Sequence, residues 1–434
     1  MRATSRGMSV DTIFALSSGS PPAAIAVIRV SGPDAGLALT RLGGSVPPAR
    51  TAKVRTLRDP DSGDVLDRAL VLFLPGPDNA TGEDCAELHL HGGRAVIAAV
   101  EQALAAIAGL RRAEPGEFTR RAFSNGRLDL AEAEGLADLL SAETELQRRN
   151  AQALASGALS GQVEAWRIEL LSLAAMVEAD LDFSDEDDVA DLPPAFMARC
   201  LALANEIGQW LQAPRAEVLK EGYRVTIAGP PNAGKSSLFN AIIGEDAAIA
   251  TPIAGTTRDI LLRSVSISGV PFLFSDTAGI RDDTSDQIER IGIERARREL
   301  AQADLVLWLG PDDDAPASAW NLETMVDLPL HRSKLNPRHR VSAVTGEGLL
   351  ELRHDLVSHA LQAMPQPGQV AVSRHQGELL GEAETAIAEA AMASDSLIVA
   401  EQLRVARVTF DRLTGRAATE DMLDALFGKF CIGK

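Results

Sequence analysis

The run Gly229-Pro-Pro-Asn-Ala-Gly234-Lys235-Ser236 carries the sharpest chemical signal in the chain. Glycines at both ends allow successive backbone N–H groups to converge on one anion, and a lysine with a hydroxyl residue follows at once. Such a loop suits the phosphates of a nucleotide. Lys235 would bridge the β- and γ-phosphates and Ser236 would offer its hydroxyl to Mg²⁺, with Asn232, Ala233, Gly234 and Ser237 completing the wall. A glycine turn with a chance lysine is the rival reading. The apolar strand Arg224 to Ala228 before the loop and the helical run Ser237 to Ile243 after it speak against that.

Two further segments extend the same chemistry. The apolar strand Pro271 to Phe274 ends in Ser275-Asp276-Thr277-Ala278-Gly279, a D-x-x-G element. Its aspartate would hold Mg²⁺ through water, and the Gly279 N–H would sense a γ-phosphate. Between the two lies Thr251-Pro252-Ile253-Ala254-Gly255-Thr256-Thr257-Arg258-Asp259, where Thr257 is placed to complete the Mg²⁺ shell. After the D-x-x-G glycine many GTPases carry a water-orienting glutamine; Ile280 stands here instead. Charge stabilisation must then come from elsewhere. Asn232, with oxygens around Thr251, Ile253 and Thr256, could cage a monovalent cation against the phosphates. Glu289 is either the group that orients water or a carboxylate on a helix surface.

Guanine selection usually rests on Asn-Lys-x-Asp, whose carboxylate accepts from the N1 and N2 donors of the base. The sequence offers Ser333-Lys334-Leu335-Asn336 as the corresponding segment. An amide at Asn336 presents one acceptor oxygen beside a donor, which weakens that discrimination. Ser342 and Ala343 would form the second loop at the base.

The elements that must hold these groups follow from pattern. Residues 1–120 mix short β-rich runs (Ala24 to Val30, Ala69 to Leu74, Ala86 to Leu90) with one helix, Arg94 to Ile107, and read as an α+β domain. Residues 121–214 turn helical, with Leu128, Leu130, Leu136, Leu139 and Leu140 at helix spacing and Pro193, Pro194 and Pro214 as punctuation. Strand and helix alternate over 215–366, which is α/β logic. Helix returns over 367–434 after the Pro365 to Gly368 linker. The two helical stretches form either one bundle with the α/β block inserted or two separate caps.

At 434 residues the chain is long enough for two to four cores, and its formal net charge of −19 argues against a protein that coats nucleic acid or membrane. Cys85, Cys200 and Cys431 are too far apart for a metal knuckle or a disulfide framework, which suits a reducing compartment. The apolar run Ile13 to Leu16 is short for an export signal, and Glu178 and Asp180 interrupt the apolar stretch Leu170 to Leu181. A cytoplasmic protein with no membrane span is expected.

Together with its flanks, this set of motifs resembles the MnmE (TrmE) family of tRNA-modification GTPases over nearly the whole chain. The resemblance is carried by Asp11-Thr-Ile13, Ile28-Arg-Val-Ser-Gly32, Thr81-Gly-Glu-Asp84, His91-Gly-Gly93, Pro115-Gly-Glu-Phe-Thr119, the segment Arg121 to Leu130, and Phe430-Cys-Ile-Gly-Lys434. It implies a multidomain fold: an α+β N-terminal domain, then a helical bundle domain with an inserted α/β P-loop GTPase (Ras-like) domain. It also places the expected initiator at Met8. The stretch Ser17 to Ala26 departs from the Gly-rich segment usual in the family.

The resemblance further implies a homodimer whose N-terminal domain binds a 5-formyl or 5,10-methylene tetrahydrofolate. Arg29, Glu87, Arg127 and Lys434 fall at the folate-contacting positions, with Arg127 in place of a frequent lysine. GTP hydrolysis would be stimulated by K⁺ through Asn232, Thr251, Ile253 and Thr256, with Glu289 and Lys235 as catalytic groups and Arg258 and Asp259 at the dimer face. Cys431 matches a terminal cysteine implicated in the modification reaction, against the plainer reading of a structural thiol. The implied partners are GTP/GDP, tRNA and an FAD protein of the MnmG type, the product being an aminomethyl-type group on the wobble uridine, U34. A regulatory GTPase of ribosome assembly and a nucleotide-binding scaffold with relaxed base choice remain as alternatives.

Overall fold

The computed structural model describes residues 11–182, 192–214, 216–244, 261–276, 300–329, 331, 333–366 and 369–434. Two compact units emerge: residues up to Ala137 together with Asp411–Lys434, and Asp138–Phe410.

The first unit is built on a mixed six-stranded sheet. In chain order its strands are β1 (Thr12–Leu16), β2 (Ile25–Ser31), β3 (Lys53–Arg58), β4 (Val65–Leu74), β5 (Cys85–His91) and β6 (Leu110–Arg112), and they lie in the order β3-β4-β5-β2-β1-β6. Side chains alternate across the sheet, so each strand feeds two layers. Phe14, Ile28, Val30, Leu88 and Leu90 point to one face, where helices α1 (Ala35–Gly43) and α2 (Arg94–Ala105) cover them. On the other face Ile13 and Ala15 meet Ala113 and Phe118, the latter from α3 (Glu117–Ser124). Arg29 and Glu87 share that second face, paired directly across β2 and β5. A further core joins Leu130 and Ala133 to Leu423, Phe427 and Phe430, so the C-terminal helix Glu420–Phe427 belongs to this unit.

The second unit contains a parallel sheet with one antiparallel edge. Its strands are β7 (Tyr223–Ala228), β8 (Leu261–Ile267), β9 (Val270–Asp276), β10 (Leu305–Trp308), β11 (Trp320–Thr324) and β12 (His339–Val341), in the order β12-β11-β10-β7-β9-β8. Only the β8–β9 pair is antiparallel. The central strands read as continuous apolar runs because both faces are covered: Val225, Ile227, Phe272, Phe274, Leu305 and Leu307 are all buried.

Within the second unit, helices from before and after this sheet pack against one another. In helix Ala158–Asp182 the residues Leu159, Val163, Trp166, Leu170, Leu173 and Val177 recur at three- and four-residue spacing and are buried, as helix periodicity demands. Trp166 stacks on Phe410 from the helix Ser396–Leu413 and meets Trp210 edge-on. Helix Pro194–Leu211 lies against Arg374–Met392, while the outer ends of the two helical stretches, up to Ala137 and from Asp411, belong to the first unit. Among the described residues no helix is long and apolar enough to cross a membrane.

Candidate functional site

Strand β7 runs straight into the phosphate-type loop. Gly229, Asn232 (at +60°) and Gly234 take positive φ, and helix α4 (Lys235–Ile243) starts directly after Gly234. The first-turn N–H groups of this helix lack intrahelical partners and face the loop, adding the positive end of the helix dipole. Lys235 is buried, and its ammonium donates to the carbonyl oxygens of Gly229 and Pro230, each at 2.9 Å. Asn232, Ser236 and Ser237 are exposed around it. Beside β7, strand β9 ends at Asp276, which registers with Ile227. The hydroxyls of Thr226 and Ser275, 2.7 Å apart, tie the two strands together in the interior. Thr251, Pro252, Ile253, Ala254, Gly255, Thr256, Thr257, Thr277, Ala278, Gly279 and Glu289 lie outside the described residues, as does the side chain of Asp276.

The base-side loops differ from the sequence expectation. Ser333, Lys334 and Asn336 are not brought to the phosphate loop's cavity: the Lys334 ammonium binds the Trp308 carbonyl oxygen and the Asn321 side chain, and the Leu335 N–H donates to Asp312. That segment lies at the entry of β11. At the exit of β11 stands Thr324-Met-Val-Asp327. Thr324 donates its hydroxyl hydrogen to the Ala233 carbonyl oxygen at 2.9 Å. The Ser342 hydroxyl lies 2.6 Å from an Asp327 carboxylate oxygen. Gly234, Met325, Asp327, Leu328, Ala343 and Val344 all line one cavity of about 160 Å³. Asp327 is therefore the carboxylate at this cavity, three residues past Thr324 in the spacing of Asn-Lys-x-Asp. The sequence signal for it is that spacing at the end of an apolar strand, with Thr324 and Met325 where the pattern has Asn and Lys.

On the first unit's second sheet face, the Arg29 guanidinium donates to Glu87 at 3.0 Å and lies 5.9 Å from the Phe118 ring centre. His89 is 3.2 Å from the other Glu87 oxygen. Burial acts to raise the Glu87 carboxyl, but the hydrogen bond and charge of Arg29 outweigh it and hold the group below its ordinary value. Arg127 pairs with Asp78 at 3.3 Å. The C-terminal segment comes to the same unit: Ile432 bridges Pro115, and Ser17 donates its hydroxyl to the Gly433 carbonyl oxygen at 2.8 Å. Gly433 sits at φ +96°, and a Cβ there would lie 2.0 Å from the Leu16 carbonyl oxygen, so only glycine allows this approach. The Lys434 N–H bonds the Cys431 carbonyl oxygen, and Cys431 itself is exposed.

The family model for the N-terminus of the GTP-binding protein TrmE matches residues 12–127, and that for the MnmE helical domain matches residues 130–431. Curated proteins named "tRNA modification GTPase MnmE" are similar over nearly their full lengths. That of Erythrobacter litoralis is 60% identical over 98% of this chain and 100% of its own. That of Novosphingobium aromaticivorans is 58% identical over 98% and 100%, and that of Rhizorhabdus wittichii 55% over 98% and 97%. The chain belongs to the MnmE family of tRNA modification GTPases. Among solved structures, the G domain of the T. maritima FeoB iron transporter is 25% identical over 32% of this chain and 98% of that one, with a TM-score of 0.24, too slight an overlap to argue from.

Proposed function

We propose that the chain binds GTP in the cavity between the phosphate loop and Asp327, hydrolyses it as a homodimer in the presence of K⁺ and Mg²⁺, and couples that turnover to modification of U34 in cytoplasmic tRNA together with a flavin protein. The observation that supports this reading most directly is the convergence of Gly234, Met325, Asp327 and Ala343 on one cavity. A carboxylate at the rim matches the two N–H donors on the edge of guanine, and the N-terminus of helix α4 matches phosphate.

The donor set also fits the ions and the folate. Ser236, on the first turn of α4, would take Mg²⁺, which neutralises phosphate charge when bound. Asn232, exposed at the loop's positive-φ corner, would face K⁺ with the oxygens of Thr251, Ile253 and Thr256. Lys235 would swing from the Gly229 and Pro230 carbonyl oxygens to the phosphates. Glu87 accepts hydrogen bonds on a half-buried sheet face and suits the amino and N–H donors of a pterin, while Arg29, Arg127 and Lys434 suit carboxylates. A tetrahydrofolate held there would supply the one-carbon unit, and the exposed Cys431 lies on the segment that folds back to this unit.

The test has two stages. GTP turnover by the purified chain is measured in KCl and in NaCl, for the parent, Asn232→Ala and Glu289→Ala. Both variants should lose turnover while GDP affinity stays near that of the parent. Modified nucleoside is then measured by mass spectrometry after incubation with the flavin partner, folate and tRNA. Absence of nucleotide affinity with Mg²⁺ present, or tRNA modification that proceeds without GTP, would reject the reading.

A further inference from the structure

The chain enters the α/β block of the second unit once and leaves it once, and the helix Glu145–Ala155 grips both passages. On the way in, the Leu219 carbonyl oxygen, on the short helix Ala216–Glu221 that leads into β7, accepts from the Gln147 side-chain amide at 2.7 Å. On the way out, the Ala371 N–H donates to the Asn150 side-chain oxygen at 2.8 Å, and the Asn150 amide donates to the Ala371 carbonyl oxygen at 3.2 Å. The passages are also tied to each other. The Ala216 N–H donates to the Val372 carbonyl oxygen at 3.0 Å and the Arg374 N–H to Glu217 at 2.6 Å.

The two grips differ in kind. Gln147 also closes the capping box of its own helix, taking the Thr144 N–H on its side-chain oxygen, so a local role accounts for it. Asn150 turns both polar atoms of its amide to one distant peptide. An asparagine pairs with a peptide unit donor to acceptor and acceptor to donor, which neither Asp nor Leu can do. Ala371 is fully buried, so its peptide groups need partners from within the protein. It belongs to the same core as Leu238, Phe239 and Ile242 of α4, the helix that starts at the phosphate loop. Beside the clamp lies a cavity of about 370 Å³, lined by Leu146, Ala153, Leu219, Leu361 and Val370 among others. A junction of paired polar groups next to unfilled space shifts without prising apart an interlocked core.

We propose that Asn150 is a positioning residue for tRNA modification: through Ala371 it carries the nucleotide state of the α/β block into helix Glu145–Ala155, and so couples GTP turnover to the modification step. The inference rests on the reading that turnover at the phosphate loop drives modification. A contiguous packed route runs from α4 through the shared core to Ala371, and there the Asn150 amide takes it over. Asn150 touches no nucleotide group, so its loss should separate the two activities.

The experiment counts phosphate released and modified nucleoside formed in the same reaction of full-length protein, flavin partner, folate, tRNA and GTP. Asn150→Ala and Asn150→Leu should hydrolyse GTP within about twofold of the parent, while modified nucleoside per GTP falls by about five- to twentyfold, as expected for one or two lost hydrogen bonds. Gln152→Ala, on the exposed side of the same helix, should match the parent in both. An unchanged ratio in the Asn150 variants overturns the proposal, and so does an equal fall in both activities, which marks a structural role. Hydrogen exchange supplies a second readout that needs no partner. Between GDP and a non-hydrolysable GTP analogue, the parent should change protection both at residues 369–373 and in helix Glu145–Ala155; Asn150→Ala should keep the first change and lose the second. A parent helix indifferent to nucleotide overturns the proposal. If the parent modifies tRNA without GTP, the underlying reading falls, and the exchange experiment still decides whether Asn150 carries the nucleotide state.

Discussion

The Thr324 hydroxyl and the Ala233 carbonyl oxygen, 2.9 Å apart, join the base-side turn to the phosphate loop across 91 residues of chain. Replacement by Val keeps the shape and removes the donor. Loss of one such hydrogen bond costs about 1 kcal/mol, or roughly fivefold in affinity. Thr324→Val should release GDP faster in stopped-flow measurements with unchanged preference among bases. A parental release rate would mean that the two loops are held together by other contacts.

Arg121 is buried and holds Asp11, Glu83 and Glu117 at 3.0 to 3.1 Å. Removal of one partner from such a cluster leaves charges without compensation, so Arg121→Ala should destabilise the protein by about 3–5 kcal/mol. Urea unfolding checks this. A change under 1 kcal/mol would show that water replaces the guanidinium without penalty.

The same cluster predicts a pH response. Burial acts to raise Glu117, but the hydrogen bonds from Arg111, the Glu114 N–H and Arg121 outweigh it, and its carboxyl lies below the ordinary 4.5. Asp11 is likewise lowered: burial opposes, and Arg111 and Arg121 prevail. A depressed folded-state value stabilises above the unfolded value and is lost as pH falls through the folded one. The melting temperature should therefore hold at neutral pH and drop as the pH is lowered beneath about 4. Glu117→Gln should flatten that fall; an unaltered profile would place the acid sensitivity elsewhere.

The three thiols should differ in reactivity. Cys200 is buried and burial pushes its thiol up to about 11, Cys85 is buried against Thr81, and Cys431 is exposed. Thiolate is the reactive form. Intact-protein mass spectrometry after brief treatment with iodoacetamide should show one modification, mapped to Cys431. Early labelling at Cys200 would contradict the burial.

Gly433→Ala tests the folded-back tail. The added methyl cannot coexist with the Leu16 carbonyl oxygen, so the terminal segment should detach while the sheet remains. Trypsin should then cut after Lys429 sooner than in the parent, with circular dichroism little changed. Equal cleavage would show that the tail is held by other means.

Much of this fold was legible because burial imposes period. The runs Ala24 to Val30 and Ala86 to Leu90 correspond to β2 and β5, whose alternate side chains enter the core, and Arg94 to Ile107 corresponds to α2 within two residues. Strand β3 gave little sign of itself, since on this sheet edge only Leu57 is fully buried, Lys53, Val54, Thr56 and Arg58 are exposed, and the half-buried position beside Leu57 is an arginine, Arg55. The phosphate loop was legible because its chemistry needs a fixed spacing. The turn Thr324-Met-Val-Asp327 was not, because only its carboxylate matches the Asn-Lys-x-Asp pattern, with Thr324 and Met325 where Asn and Lys usually stand. Arg29 and Glu87, 58 residues apart, become neighbours only through strand register, which the resemblance could indicate and residue spacing could not.

Helix Glu420–Phe427 and the segment ending at Lys434 complete cores and edges begun by the first strands. On the ribosome this separates the order of synthesis from the order of completion. The stretch Asp138–Phe410 emerges whole and can settle at once, whereas the unit translated first must wait for the last residues to arrive. The core that Leu130 and Ala133 share with Leu423, Phe427 and Phe430 would stay unclosed until then, so premature termination near residue 410 should yield a chain whose middle is native and whose beginning is left unfinished.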